Sequence, residues 1–202
     1  MFEIIKAGGW LMGPLILCSI IVVAIVSERF WTLQTRRVAP EHLAAQAWNW
    51  FKAGELDDER LQILRSSSPL GRILAAGLVH RDSEREVMNE AIEDTGRHVV
   101  HELDRYLISL GTIATISPLL GLLGTVIGIM RVFAAISSSG LGNPSVLAGG
   151  ISEALITTVA GLTVAIPAYI AHRYLRGKVE DLVVRMERET VRLMNAVRGA
   201  SN

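Results

Sequence analysis

The stretch YLISLGTIATISPLLGLLGTVIGIM, residues 106 to 130, runs for 25 residues without Asp, Glu, Lys or Arg. As a helix rising about 1.5 Å per residue it exceeds the roughly 30 Å hydrocarbon core of a bilayer, so it must tilt or project from the membrane. Two more uncharged runs exist: residues 7 to 27, 21 residues between Lys6 and Glu28, and residues 154 to 171, 18 residues between Glu153 and His172-Arg173. Each is long enough to span as a helix. The first reads as a retained span rather than a secretory signal, because one Lys is balanced by one Glu ahead of it and no small-x-small cleavage site precedes Glu28-Arg29. The sequence therefore predicts an all-α polytopic membrane protein with three transmembrane helices.

Composition agrees. Of 202 residues half are hydrophobic, and 20 Lys+Arg balance 20 Asp+Glu, which excludes the basic footprint of a nucleic-acid binder and the polarity of a disordered chain. The single cysteine, Cys18, excludes an internal disulfide or a Cys-based zinc site and reads as a small apolar side chain.

The positive charges set the orientation. Lys6 precedes the first uncharged run and Arg131 lies between the second and third; the other 18 Lys+Arg fall between the first two runs or after the third. Close to the span ends these include Arg29, Arg36, Arg37, Arg97, Arg105, Arg173, Arg176 and Lys178, all on one side, which should be cytoplasmic. The expected division is an outer end and first span over 1–27, a helical cytoplasmic segment over 28–105, a second span over 106–135, a short outer loop over 136–152, a third span over 153–172 and a cytoplasmic helical tail over 173–202. In 28–105, breaks fall near Pro40, Gly54 and Ser66-Ser67-Ser68-Pro69, so short helices are expected. From Val87 to Tyr106 the helical spacing meets no proline, and helix and second span should run on as one. The third span should likewise extend as a long helix. After it, Val179, Leu182, Val183, Met186, Leu193, Met194 and Val197 make a narrow apolar stripe suited to packing on the chain's own helices or a neighbouring subunit, or to lying on a lipid surface.

Enzyme templates fail. There is no GxxxxGK[ST] and no GxGxxG, and HELDR at 101–105 has Arg105 where a zinc protease helix needs a second His. His98 and His101 read as a solvated polar face. No catalytic residue, metal or cofactor is expected.

The chemistry lies within the spans. Counting 100° per residue, Gly111, Ala114, Pro118, Gly121, Thr125, Gly128 and Val132 share about a 100° sector of the second span. Gly124 and Gly128 form a small-xxx-small pair. Such a face serves close helix packing or lines a cavity, and spacing leaves both open. In the third span Ala154, Thr158, Gly161 and Ala165 form one small stripe and Glu153, Thr157, Ala160, Val164 and Pro167 an adjacent one. Glu153 is either a functional charge at the edge of a span or an interfacial first-turn acid that favours the helix dipole. Pro118 and Pro167 free backbone carbonyls and can kink the spans.

In IATISPLLGLLGTVIGIMRVF, residues 113–133, and GGISEALITTVAGLTVAIPAYIAHRYL, residues 149–175, the chain resembles the TolQ/ExbB/MotA proton-channel subunits of bacterial inner-membrane motors. The three-span layout is similar to ExbB or TolQ, nearer ExbB, and unlike four-span MotA. The resemblance implies a multi-pass inner-membrane subunit with a periplasmic N-terminus and cytoplasmic C-terminus. It implies a homopentamer around a central pore lined by spans two and three. The partners it implies are a single-span ExbD- or TolR-like protein carrying a membrane Asp, and a TonB- or TolA-like linker. By motif, Thr125 and Thr158 match the family's pore threonines and Glu153 the acid opening the third span; Thr157, where many relatives have a small apolar residue, would widen the polar ring.

The mechanism so implied is proton-driven motion without covalent catalysis. A threonine hydroxyl can donate to a carboxylate or accept from a protonated one, so it can hold the partner's Asp in either state. Protonation at one face and release at the other bias which of five wall positions that Asp prefers, and at about 2.3 kcal/mol per charge per 100 mV a few protons could move a linker. The rival reading is a non-conducting membrane scaffold. An intramembrane hydrolase is disfavoured, because the spans lack a second catalytic acid or a nucleophile-base pair.

Overall fold

The computed structural model describes residues 8–139 and 144–201, with side chains over 8–137 and 147–200. Eight helices and no strand occur among the described residues: α1 (Met12–Thr32), α2 (Thr35–Val38), α3 (Leu43–Lys52), α4 (Asp58–Ser67), α5 (Pro69–Val79), α6 (Arg85–Leu103), α7 (Leu107–Ser139) and α8 (Pro144–Ser201). Three helical stretches, containing α1, α7 and α8, are long and apolar enough to cross a membrane. The chain divides into two compact units, Met1–Glu28 with Tyr106–Tyr174, and Arg29–Arg105 with Leu175–Asn202.

The first unit contains the apolar parts of α1, α7 and α8. It turns large side chains outward, with Ile108 81% and Phe133 66% exposed, as expected where the solvent is lipid. Leu11, Leu15 and Val22 of the first segment are buried. A crevice of about 540 Å³ between α1 and α8 is lined by Met12, Leu15, Ser19, Ile156, Val159 and Thr163, among others.

The second unit is built from short helices whose ends the sequence writes locally. Gly54, at φ 68, follows α3. Asp57 accepts from the Arg60 N–H at 2.9 Å and opens α4, and Ser68 accepts from the Gly71 N–H at 3.1 Å and opens α5, each satisfying a donor that the first helical turn leaves unpaired. Pro69 as first residue of α5 has no N–H to waste there. Leu64, Leu70, Leu74, Leu78, Val99 and Leu103 form the core. Leu175, Val179, Leu182, Met186, Leu193, Met194 and Val197 of α8 are also buried, and a β-carbon on Gly77 of α5 would stand 2.7 Å from the Met194 sulfur. The apolar stripe of the tail thus finds its partner in its own chain. Lys178 Nζ donates to Thr35 Oγ1 at 3.1 Å and Arg185 to Glu41 at 2.7 Å, tying α8 to the start of the unit.

Two expectations need correction. The helix through 85–135 is interrupted: α6 ends at Leu103 and α7 starts at Leu107, with Tyr106 at φ 64 between them. A left-handed tyrosine costs roughly 1–2 kcal/mol, and Arg29 supports the break. It is 4% exposed and donates to the carbonyls of Glu102 at 3.4 Å and Leu103 at 3.2 Å at the end of α6, the first of which also accepts from the Arg105 N–H at 3.3 Å. The second correction concerns the outer loop at 136–152. Helix α7 continues to Ser139 and α8 already begins at Pro144, because no breaker stops the former and a proline suits a first helical turn. Residues 140–143 of that loop, and 1–7 of the outer end, lie outside the described residues.

Candidate proton pathway

In the first unit α7 and α8 pack antiparallel along a seam built mostly of small residues. Gly111 faces His172, Gly121 faces Thr157 and Thr158, and Gly128 faces Gly150 and Ala154. The buried line on α7 is Leu110, Ala114, Ser117, Gly121, Gly124 and Gly128; on α8 it is Ala154, Thr157, Gly161, Ala165 and Ala168. Steps of three and four keep both lines facing each other. A β-carbon on Gly161 would stand 2.6 Å from the Ser117 carbonyl oxygen and 3.1 Å from the Gly121 α-carbon, so here only glycine lets the backbones approach. Of the two uses the small faces left open, close packing takes Gly121, Gly124, Gly128 and Gly161.

The threonines separate on this seam. Thr157 is 1% exposed, packed on Gly124, and its hydroxyl donates to the carbonyls of Glu153 at 3.1 Å and Ala154 at 2.9 Å. Thr125 and Thr158 are partly exposed. On a helical wheel Thr125 and Thr158 each lie roughly 60° from the centre of their own helix's buried line, in the same rotational sense. Because the helices are antiparallel, equal senses bring both residues out along one edge of the seam. The Thr158 hydroxyl donates across it to the Gly121 carbonyl at 3.2 Å, and the Thr125 hydroxyl to Leu122 at 2.6 Å. Each oxygen keeps acceptor capacity.

Arg131 and Glu153 are rotated in the opposite sense and come out along the other edge. There Arg131 Nη1 lies 2.5 Å from Glu153 Oε1. Pro118 and Pro167 sit inside unbroken helices, and lacking an N–H they leave the carbonyls of Ala114 and Thr163 without a helical donor. Among the described residues no group of three or more His, Cys, Asp or Glu could hold a metal ion.

A model of the MotA/TolQ/ExbB proton channel family matches residues 65–188, which include the seam, both threonines, Arg131 and Glu153. The chain belongs to this proton channel family. It is 36% identical over 176 residues to the biopolymer transport protein ExbB-like 1 of Synechocystis sp., covering 83% of this chain and 67% of that protein. To the biopolymer transport protein exbB1 of Vibrio cholerae it is 30% identical over 184 residues, 89% of this chain and 80% of the relative. A shorter match, 42% over 83 residues, relates 41% of the chain to 36% of the Tol-Pal system protein TolQ of Haemophilus influenzae.

Arg131 entered the sequence reading only as a topology marker. The signal for its role was available: it is the one basic residue, and Glu153 the one acidic residue, between 106 and 171, and isolated opposite charges near a bilayer tend to meet. Nothing comparable could have found the capping role of Arg29, which depends on the fold alone.

Proposed function

We propose that this chain is the wall subunit of an inner-membrane proton channel of the ExbB type, which works with a single-span, Asp-bearing partner to drive motion of a periplasm-spanning linker for uptake across an outer membrane. The observation that carries this reading is the shared edge of Thr125 and Thr158 on a glycine seam in a chain of a proton channel family. Subunits arranged as a ring, a homopentamer by resemblance to relatives, would present this edge inward, where each hydroxyl can hold the partner's carboxylate or carboxyl. The carboxylate is costly in dehydrated surroundings and the neutral acid is not, so protonation decides when it leaves one wall position for the next. No covalent step is involved, and the chain would act as a channel and not as an enzyme. The longer matches to ExbB-named relatives favour that branch, and the TolQ match keeps envelope integrity as the second reading.

The test is co-purification with a neighbouring single-span Asp protein and native mass measurement, followed by proton-driven uptake in Thr125→Val and Thr158→Val. A stable complex with both variants inactive supports the channel. Wild-type uptake in both variants, with the partner bound, would leave a passive scaffold as the better description.

A further inference from the structure

Between residues 106 and 171 the sequence contains two charged side chains, Arg131 and Glu153, and the fold joins them at 2.5 Å. The Glu153 side chain is 19% exposed and that of Arg131 52%. Gly9 closes the site from the first segment: at φ 68 its backbone lies where any β-carbon would collide with the Glu153 carboxylate. Neither α7 nor the part of α8 between 144 and 171 supplies another acidic or basic residue. Among the described residues the carboxylate meets the Arg131 guanidinium, which stays charged at all physiological pH, and the backbone of Gly9. This pair occupies the edge of the seam opposite to Thr125 and Thr158. A proton relay must face the path, and a carboxylate hydrogen-bonded to a guanidinium on the far edge does not.

We infer that Arg131 is a positioning residue of the motor. It pins Glu153 as an anchor between the outer ends of spans two and three, and the proton passes along the threonine edge without binding Glu153. This rests on the proton-channel reading above.

The experiment measures proton-driven uptake against external pH in cells that express the full chain with its single-span partner, alongside the native mass of the complex. Glu153→Gln and Arg131→Gln each strand one charge and should lower uptake at least about tenfold. The double variant Arg131→Gln with Glu153→Gln strands none and should return to within about threefold of wild type, with the pH profile unshifted. Arg131→Lys, which keeps the charge, should also recover uptake with the same profile. A double variant that assembles yet is as inactive as Glu153→Gln overturns the inference, because Glu153 then carries the proton. Wild-type uptake in both single variants overturns it too. Should the double variant not assemble, the profile of Arg131→Lys decides: a displaced pH midpoint defeats the anchor role and an unchanged one sustains it. The channel reading fails separately, through wild-type uptake in Thr125→Val and Thr158→Val, whatever the Arg131 variants do.

Discussion

One substitution, made twice in the same helix, should have opposite signs. At Gly161 an added methyl would meet the Ser117 carbonyl oxygen at 2.6 Å and the Gly121 α-carbon at 3.1 Å. Both obstacles are backbone of α7, which cannot swing aside as a side chain can. Relief requires α7 and α8 to separate by roughly half an ångström or more along a seam made of van der Waals contact, and overpacking of this kind costs about 1–3 kcal/mol. At Gly177 a β-carbon meets no atom within 4 Å. There alanine should stabilise α8 by up to about 1 kcal/mol through helix propensity and a less flexible unfolded chain. Gly161 gains the same propensity, so its net loss is about 0–2 kcal/mol and the two variants should differ by about 1–3 kcal/mol. The assay is thermal unfolding of the purified protein in one detergent, followed by intrinsic fluorescence and by loss of the native-mass species. A Gly161→Ala protein as stable as Gly177→Ala would falsify the close α7–α8 contact.

Other consequences can be checked with single substitutions. Thr125→Val should abolish proton-driven work with little change in stability, whereas Thr158→Val also loses the bond to the Gly121 carbonyl and should cost about 1 kcal/mol, read by the same thermal assay. Arg29→Met should destabilise by about 1.5–3 kcal/mol and speed amide hydrogen exchange at residues 104–110 while sparing 117–128; unchanged exchange would remove the capping role. The Arg72 guanidinium, bonded to Glu102 at 2.8 and 2.5 Å, holds the Glu102 carboxyl below its usual range. A lowered folded value stabilises above the unfolded value of about 4.3 and loses that contribution as pH falls through the folded value. With the Arg72 side chain 32% and the Glu102 side chain 55% exposed, solvent screening keeps the effect under about 1 kcal/mol, and Glu102→Gln should reduce the change in unfolding free energy between pH 7 and 3 by that much. A reporter inserted at Gly54 should read cytoplasmic and one at Gly142 periplasmic; the reverse would invert the topology.

What could be read from the sequence was set by which interactions are local. The three spans announce themselves as uncharged runs, and the breaks at Gly54 and Ser68-Pro69 carry their own turn and capping chemistry. The break at Tyr106 does not, since Arg29, which supports it, comes from 73 and 74 residues away. The small face of span two was visible, but a wheel centred by residue size drew it through Pro118 and Thr125, while the buried line runs through Ser117 and Gly124. That offset of one residue decides the site. It buries Thr157, leaves Thr125 and Thr158 together on one edge and sends Glu153 to the other. Side-chain size alone could not fix it, because the rotation of a helix depends on the helix it meets.

The pairing of Arg131 with Glu153 has an electrical consequence. A membrane potential exerts force on net charge, about 2.3 kcal/mol per elementary charge for each 100 mV crossed. Between residues 106 and 171 the formal charges sum to zero, and the two that exist sit side by side, so the potential has little to push on in these two spans. In the proposed motor the voltage would act on the carboxylate of the moving partner, and this chain would stand still in the field as the stator does in a machine whose rotor alone is charged.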